Sequence, residues 1–211
     1  QFIQAASHCE AFELSAVYSR TEARGQAFAA KYGVKHIFTD LEELLTSDVV
    51  DAMYIASPNA LHAKQAIMCL NYQKHVLCEK PAALKKEQVR ELIDIAQNNQ
   101  LVYMEALKTA YCPGYKALIQ IAESGRIGRI VEVEAAFSRL TPLNTREYKD
   151  DDCNGSFLEF GSYTLLPVLT LLGCEYDDVT FRTVRAQNGV DAYTKAFIEY
   201  KDEYIDKTAI V

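Results

Sequence analysis

Between residues 13 and 105, short apolar runs rich in β-branched and aromatic residues alternate with amphipathic stretches, and this alternation limits the fold more than any other feature of the chain. The runs are FELSAVYS, a weaker KHIF, VVDAMYIAS, KHVLCEK and LVYMEAL, with helical periodicity over residues 21–32, 40–46, 59–72 and 84–98 between them. Strands that alternate with helices lie parallel and are joined by right-handed crossovers, so the pattern predicts an α/β fold with an open, doubly wound parallel sheet. In open sheets of this kind ligands bind beyond the carboxyl ends of the strands.

The residues at those ends are polar. They are Ser19 and Arg20 after the first run, Ser57, Pro58 and Asn59 after the third, Glu79 and Lys80 after the fourth, and Glu105 in the fifth. Turn formation accounts for Ser57 and Asn59, which also suit a helix N-terminus. It does not account for Arg20, Glu79 or Lys80. In HVLCEKP the proline disfavours helical geometry for the residue before it, so Lys80 is held extended where the next helix would begin.

The second half changes character. A helix over residues 114–124 leads through SGRIG into RIVEVEAAFSR, where Val131, Val133, Ala135 and Phe137 alternate with a wetter face. A further helix, from Ser156 to Leu172, stops at Gly173. The runs VTFRTVRA, TKAFIEYK and YIDKTAIV follow without intervening helices, which predicts an α+β domain with an open, mainly antiparallel sheet. A partner subunit is a candidate cover for its free face, giving a homodimer or higher homo-oligomer. At 211 residues the chain suits two modest modules, with the boundary expected near Leu107 and Lys108, hence 1–107 and 108–211.

Charge and cysteine usage exclude several classes. A net charge of -7, with Asp150, Asp151 and Asp152 in a row, argues against a nucleic-acid partner. The acidic run reads as a solvated loop. No apolar run approaches the roughly 20 residues that cross a bilayer, and no leader pattern opens the chain, so a cytoplasmic protein with no membrane partner is expected. The six cysteines, Cys9, Cys69, Cys78, Cys112, Cys153 and Cys174, show no C-x-x-C pair and no histidine at ligand spacing, so no metal is expected and the thiols read as reduced. Cys78 admits a nucleophile reading, although free cysteine usually behaves as a small buried hydrophobe.

The segments SPNALH, VLCEKP, YCPGYKALIQIAESGRIGRIVEVEAAF and GSFLEFGSY, in this order and at these separations, resemble the glucose-fructose oxidoreductase, inositol dehydrogenase and rhizopine-catabolism (Gfo/Idh/MocA) family of NAD(P)-dependent oxidoreductases. The resemblance implies a Rossmann domain for the nicotinamide cofactor and an α+β domain for substrate and oligomer contacts. It places Lys80 beside the nicotinamide and the substrate hydroxyl, where an ammonium stabilises the oxygen charge that develops as hydride moves. The family commonly shows aspartate, glycine, then histidine or tyrosine; here the positions read Glu159, Gly161 and Tyr163. Tyr163 matches the tyrosine-bearing branch, similar to dihydrodiol dehydrogenase, with the phenol as general acid/base; core packing is the alternative. Glu159 is a departure, and misplacing a catalytic group by an ångström can cost about a hundredfold in rate. Four residues apart, Glu159 and Tyr163 share one helix face.

The cofactor is read at the second strand of the family pattern. An acid there hydrogen-bonds the ribose hydroxyl of NAD and arginine suits the 2′-phosphate of NADP, so Ser19, Arg20 and Arg24 favour NADP, with NAD possible. Ser57, Asn59 and His62 resemble the segment passing under the nicotinamide, and Glu79 and Lys80 complete the cofactor contacts; His62 can equally be touching its own first turn. The Gly-rich turn that holds the pyrophosphate is missing, since residue 1 already falls inside the following helix, and the last strand has nothing after it. The chain is therefore expected to be a piece of a longer protein, incomplete at both ends. The expected activity is hydride transfer between nicotinamide and a hydroxyl or carbonyl of a sugar, polyol or related diol. The alternative is a non-catalytic NAD(P)-binding regulator, which Glu159, and Ala110 where many relatives carry arginine, keep open.

Overall fold

The structure is a computed structural model that describes residues 2–142, 144–145, 148, 154–203 and 205–211. Gln1, the acidic run Asp150 to Asp152, Cys153 and Tyr204 lie outside the described residues. The chain divides into two compact units, one of residues 1–56, 63–78 and 87–104, the other of residues 57–62, 79–86 and 105–211. The turns after the third and fourth apolar runs thus belong with the second half of the sequence.

In the first unit a short helix, α1 (Phe2–Ala6), precedes the alternation β1 (Ala16–Tyr18), α2 (Glu22–Tyr32), β2 (His36–Phe38), α3 (Leu41–Thr46), β3 (Ala52–Ile55), α4 (His62–Asn71), β4 (His75–Cys78), α5 (Lys86–Asn98) and β5 (Tyr103–Glu105). The order is the predicted one and the fold is Rossmann-like, but the strands form two ladders: β1 pairs with β2 in parallel, and β3, β4 and β5 make a separate sheet. No described strand hydrogen-bonds both β1 and β3, so FELSAVYS shrinks to the residues that β2 can pair. Local chemistry sets the helix ends. Asp40 accepts from the backbone amides of Glu42 and Glu43 at the start of α3, and Gly33 closes α2 at φ 71°, in the left-handed region. Leu44, Leu45, Cys69, Leu70, Cys78 and Leu92 form the driest part of the core. Burial pushes the Cys69 thiol up to about 12, and Cys78 is likewise fully enclosed, as a small hydrophobe would be.

The second unit holds a 3-10 turn at Lys108–Tyr111, then α6 (Pro113–Glu123), β6 (Glu132–Glu134), α7 (Ser156–Leu172), β7 (Asp178–Arg185), β8 (Asp191–Tyr200) and β9 (Lys207–Ile210). Its sheet runs β6-β9-β8-β7, antiparallel except for the parallel pairing of β6 with β9. Val168 and Leu165 of α7 pack on Ala196, Ile198 and Tyr200 of β8 and Ala209 of β9, which fixes the helix to one face of the sheet. Phe181 and Val184 of β7 and Tyr193 of β8 stay exposed. Among the described residues no helix is long and apolar enough to cross a membrane.

Candidate active site

Helix α7 carries Glu159 and Tyr163 on successive turns. Its interior proline, Pro167, has no N–H to donate, so the carbonyl of Tyr163 loses its ordinary helical partner. Lys80 meets this helix twice. Its Nζ lies 2.9 Å from Glu159 Oε1 and donates to the Glu159 carbonyl oxygen at 2.7 Å. The two side chains are only 10% and 13% exposed, so water screens the pair weakly. The ammonium also sits 5.5 Å from the centre of the Tyr163 ring, within cation–π range.

Tyr163 is one layer of an aromatic stack. Phe137 lies 5.3 Å from it and 5.0 Å from Phe160, both at 21°. Burial raises the phenol above its ordinary value, and the neighbouring carboxylates of Glu79 and Glu159 raise it further. A buried ammonium beside a phenol that stays protonated is an arrangement suited to polarising an oxygen and handing it a proton.

Backbone contacts hold the Lys80 segment. The Lys80–Pro81 peptide is cis, and the amide of Ala82 donates to Glu105 Oε1 at 2.8 Å. His62, 1% exposed, has Nδ1 2.8 Å from the Pro81 carbonyl and Nε2 2.8 Å from the Ser57 carbonyl. The ring therefore touches its own first turn, as one reading anticipated, and ties that turn to the lysine segment as well. Asn59, 9% exposed, opens the 3-10 turn that precedes α4.

The structure thus brings Ser57, Asn59, His62, Glu79, Lys80, Glu159 and Tyr163 into one unit. Ser19, Arg20 and Arg24 belong to the other, at the carboxyl end of β1 and the first turns of α2, where both guanidinium groups are exposed. Three contributors were not assigned from sequence: Phe137, Glu105 as the acceptor for Ala82, and Asp191 on β8, which accepts from the Phe157 amide at 2.7 Å. The repeating Val-Val-Ala-Phe pattern of residues 131–137 marked Phe137 as a strand position and nothing more. Among the described residues no group of three or more His, Cys, Asp or Glu is placed to hold a metal ion.

Comparison with known proteins identifies the family. Residues 1–107 match the Gfo/Idh/MocA oxidoreductase family, NAD-binding Rossmann fold, and residues 115–206 match the C-terminal domain of the same family. The chain belongs to the Gfo/Idh/MocA family. Among its relatives is a scyllo-inositol 2-dehydrogenase (NADP(+)) of Bacillus subtilis, 38% identical over 95% of this chain and 62% of that protein. A trans-1,2-dihydrobenzene-1,2-diol dehydrogenase of Xenopus laevis is 29% identical over 89% of this chain and 57% of its own length. The 3-ketoreductase KijD10 of Actinomadura kijaniata, solved with NADP and TDP-benzene, superposes with a TM-score of 0.85 at 25% identity, covering 99% of this chain and 64% of that one. This Gfo/Idh/MocA chain therefore spans somewhat under two thirds of the length of the relatives it matches.

Proposed function

We propose that the protein to which this chain belongs is an NADP-dependent oxidoreductase that transfers a hydride between the nicotinamide and a hydroxyl or carbonyl carbon of a sugar, polyol or related diol. The observation that carries this reading is the doubly bonded Lys80 beside the protonated phenol of Tyr163. The relatives named for scyllo-inositol and for a dihydrodiol support the substrate class, and both act on CH–OH groups by name.

The donor set fits the cofactor. Ser19, Arg20 and Arg24 offer a hydroxyl and two exposed guanidinium groups at the strand tip, a set that matches a 2′-phosphate bidentately, while Glu22 nearby is engaged by Gln26 at 3.0 Å. Ser57, Asn59 and Glu79 are assigned to the nicotinamide end, with His62 acting through the Ser57 and Pro81 carbonyls that it faces. The cofactor, when bound, supplies or accepts the hydride. Lys80 steadies negative charge on the substrate oxygen, with Glu159 holding the ammonium in place. Tyr163 delivers the proton to that oxygen in reduction and is reprotonated from water, and in oxidation its ionised form takes the proton back.

The exposed apolar positions of β7 and β8 suit self-association, which sedimentation of the full-length protein measures. The activity is tested on the full-length protein by nicotinamide absorbance with a panel of sugars, polyols and diols, with Lys80→Met as control. Turnover that survives this substitution rules out the role given to Lys80. NADPH binding with no turnover on any member of the panel makes the protein a regulator instead.

A further inference from the structure

Helix α7 starts without a capping side chain of its own. Gly155 precedes it at φ 125° and ψ 165°, a conformation that L side chains rarely adopt. The amide of Phe157, one of the orphan donors of the first turn, is satisfied from another element: Asp191 Oδ2, at the start of β8, accepts from it at 2.7 Å. The same oxygen accepts from Thr194 Oγ1 at 3.1 Å. A Cβ at 155 would also fall 1.8 Å from Asp191 Oδ1, so any side chain there would push the carboxylate away. A carboxylate at this point also complements the positive end of the helix dipole.

The clamp is connected to the chemistry by hydrogen bonds. The carbonyl of Gly155 accepts from the amide of Glu159 at 3.1 Å, and Glu159 holds Lys80 with both its carboxylate and its carbonyl. Tyr163 follows one turn later. We propose that Asp191 is a positioning residue: reaching from the sheet to the first turn of α7, it sets the helix so that Glu159 keeps the Lys80 ammonium beside Tyr163. The inference rests on the reading of Lys80 and Tyr163 given under Proposed function.

The test uses the full-length protein, measuring kcat, KM for a polyol that the wild type turns over, and NADPH affinity for Asp191→Ala, Asp191→Asn and Lys80→Met. Misplacement of the helix predicts that Asp191→Ala lowers kcat about tenfold or more while NADPH affinity stays within about twofold. Asp191→Asn, whose amide oxygen still accepts from Phe157, recovers most of that loss. An unchanged kcat in Asp191→Ala, or a raised KM at constant kcat, overturns the proposal, as does an asparagine variant no better than alanine. Should Asp191→Ala fail to fold, Asp191→Glu takes its place: the extra methylene drives the carboxylate against Gly155, the same loss of kcat is expected, and wild-type kcat overturns the proposal. Loss of turnover in Lys80→Met with none in Asp191→Ala removes this inference alone, whereas full turnover in Lys80→Met removes the reading beneath it together with the inference.

Discussion

Lys80 donates to Glu159 at two points, the carboxylate at 2.9 Å and the main-chain carbonyl at 2.7 Å, so the ammonium is held by a helix as well as by a charge. The doubled contact separates the roles of the two side chains. Lys80→Met removes both bonds to Glu159, whose side chain is 13% exposed. Loss of one partner of such a pair costs roughly 3 kcal/mol, and loss of a donor aimed at developing oxygen charge lowers kcat about 100-fold or more. Glu159→Gln keeps the shape and the carbonyl contact, so its kcat falls at most about tenfold. A double-mutant cycle on the two positions, read by denaturant melts, is expected to give a coupling on the order of 1–3 kcal/mol. A coupling near zero would show that the pair does not form in solution.

The raised phenol of Tyr163 gives a pH dependence of definite sign. Burial, then Glu79, then Glu159 oppose its ionisation, so the folded protein keeps the proton at a pH where the unfolded chain, near 10, has begun to lose it. The stabilisation associated with this proton is complete below pH about 10 and is lost as pH rises through the higher folded value. Carbonyl reduction, which needs the neutral phenol, should show an alkaline limb displaced above 10. Glu79→Gln removes one of the opposing charges and moves that limb toward lower pH, and Tyr163→Phe abolishes it along with most of the rate. A pH–rate profile unchanged by Glu79→Gln would remove that carboxylate from the list of causes.

The order of elements was legible in the chain because hydrophobic period is a local property, and strand lengths were not because pairing is a property of neighbours. FELSAVYS has the composition of a full strand, yet only Ala16–Tyr18 find a partner in the equally short β2. RIVEVEAAFSR likewise contracts to Glu132–Glu134, although the amide of Ala135 still reaches the Ile210 carbonyl at 2.9 Å. In the candidate site, Lys80 stood out because a lysine before proline at a strand end is chemically conspicuous. Its second contact was invisible because a backbone carbonyl has no residue signature. Phe137 looked like an ordinary strand position and Asp191 lay outside the run TKAFIEYK, and what marks them, a stack on Tyr163 and a bond to the Phe157 amide, exists only after the chain has folded.

His62 shows how a buried polar side chain joins two turns. Its ring is enclosed between the Ser57 and Pro81 carbonyls, and replacing it with leucine keeps the bulk while removing the ring N–H that one of these two oxygens accepts. An unsatisfied buried acceptor costs about 1–3 kcal/mol, which lowers the melting temperature by roughly 2–4 °C per kcal/mol in a chain of this size. Because Pro81 adjoins Lys80, kcat is expected to fall in step with stability in His62→Leu, and turnover assays by nicotinamide absorbance together with calorimetry on the full-length protein check both. A variant that melts like the wild type would show that the ring bonds neither carbonyl appreciably.

Gly25 sits where α2 crosses β2, and a Cβ built there would fall 2.7 Å from Ile37 Cγ2 and 3.5 Å from the Ser19 Cβ. Alanine in a helix interior ordinarily gains up to about 1 kcal/mol over glycine. Here the gain is offset by overpacking of about 1–3 kcal/mol, since the methyl that must move belongs to a β-branched side chain with little χ1 freedom. Gly25→Ala is therefore expected to be net destabilising, against the usual direction. The clash also lies beside Ser19, at the end of β1 where the phosphate contacts are assigned, so the NADPH dissociation constant should rise along with the loss of stability. An alanine variant that is more stable than the wild type and binds NADPH equally well would mean that α2 stands farther from β2 than this packing requires.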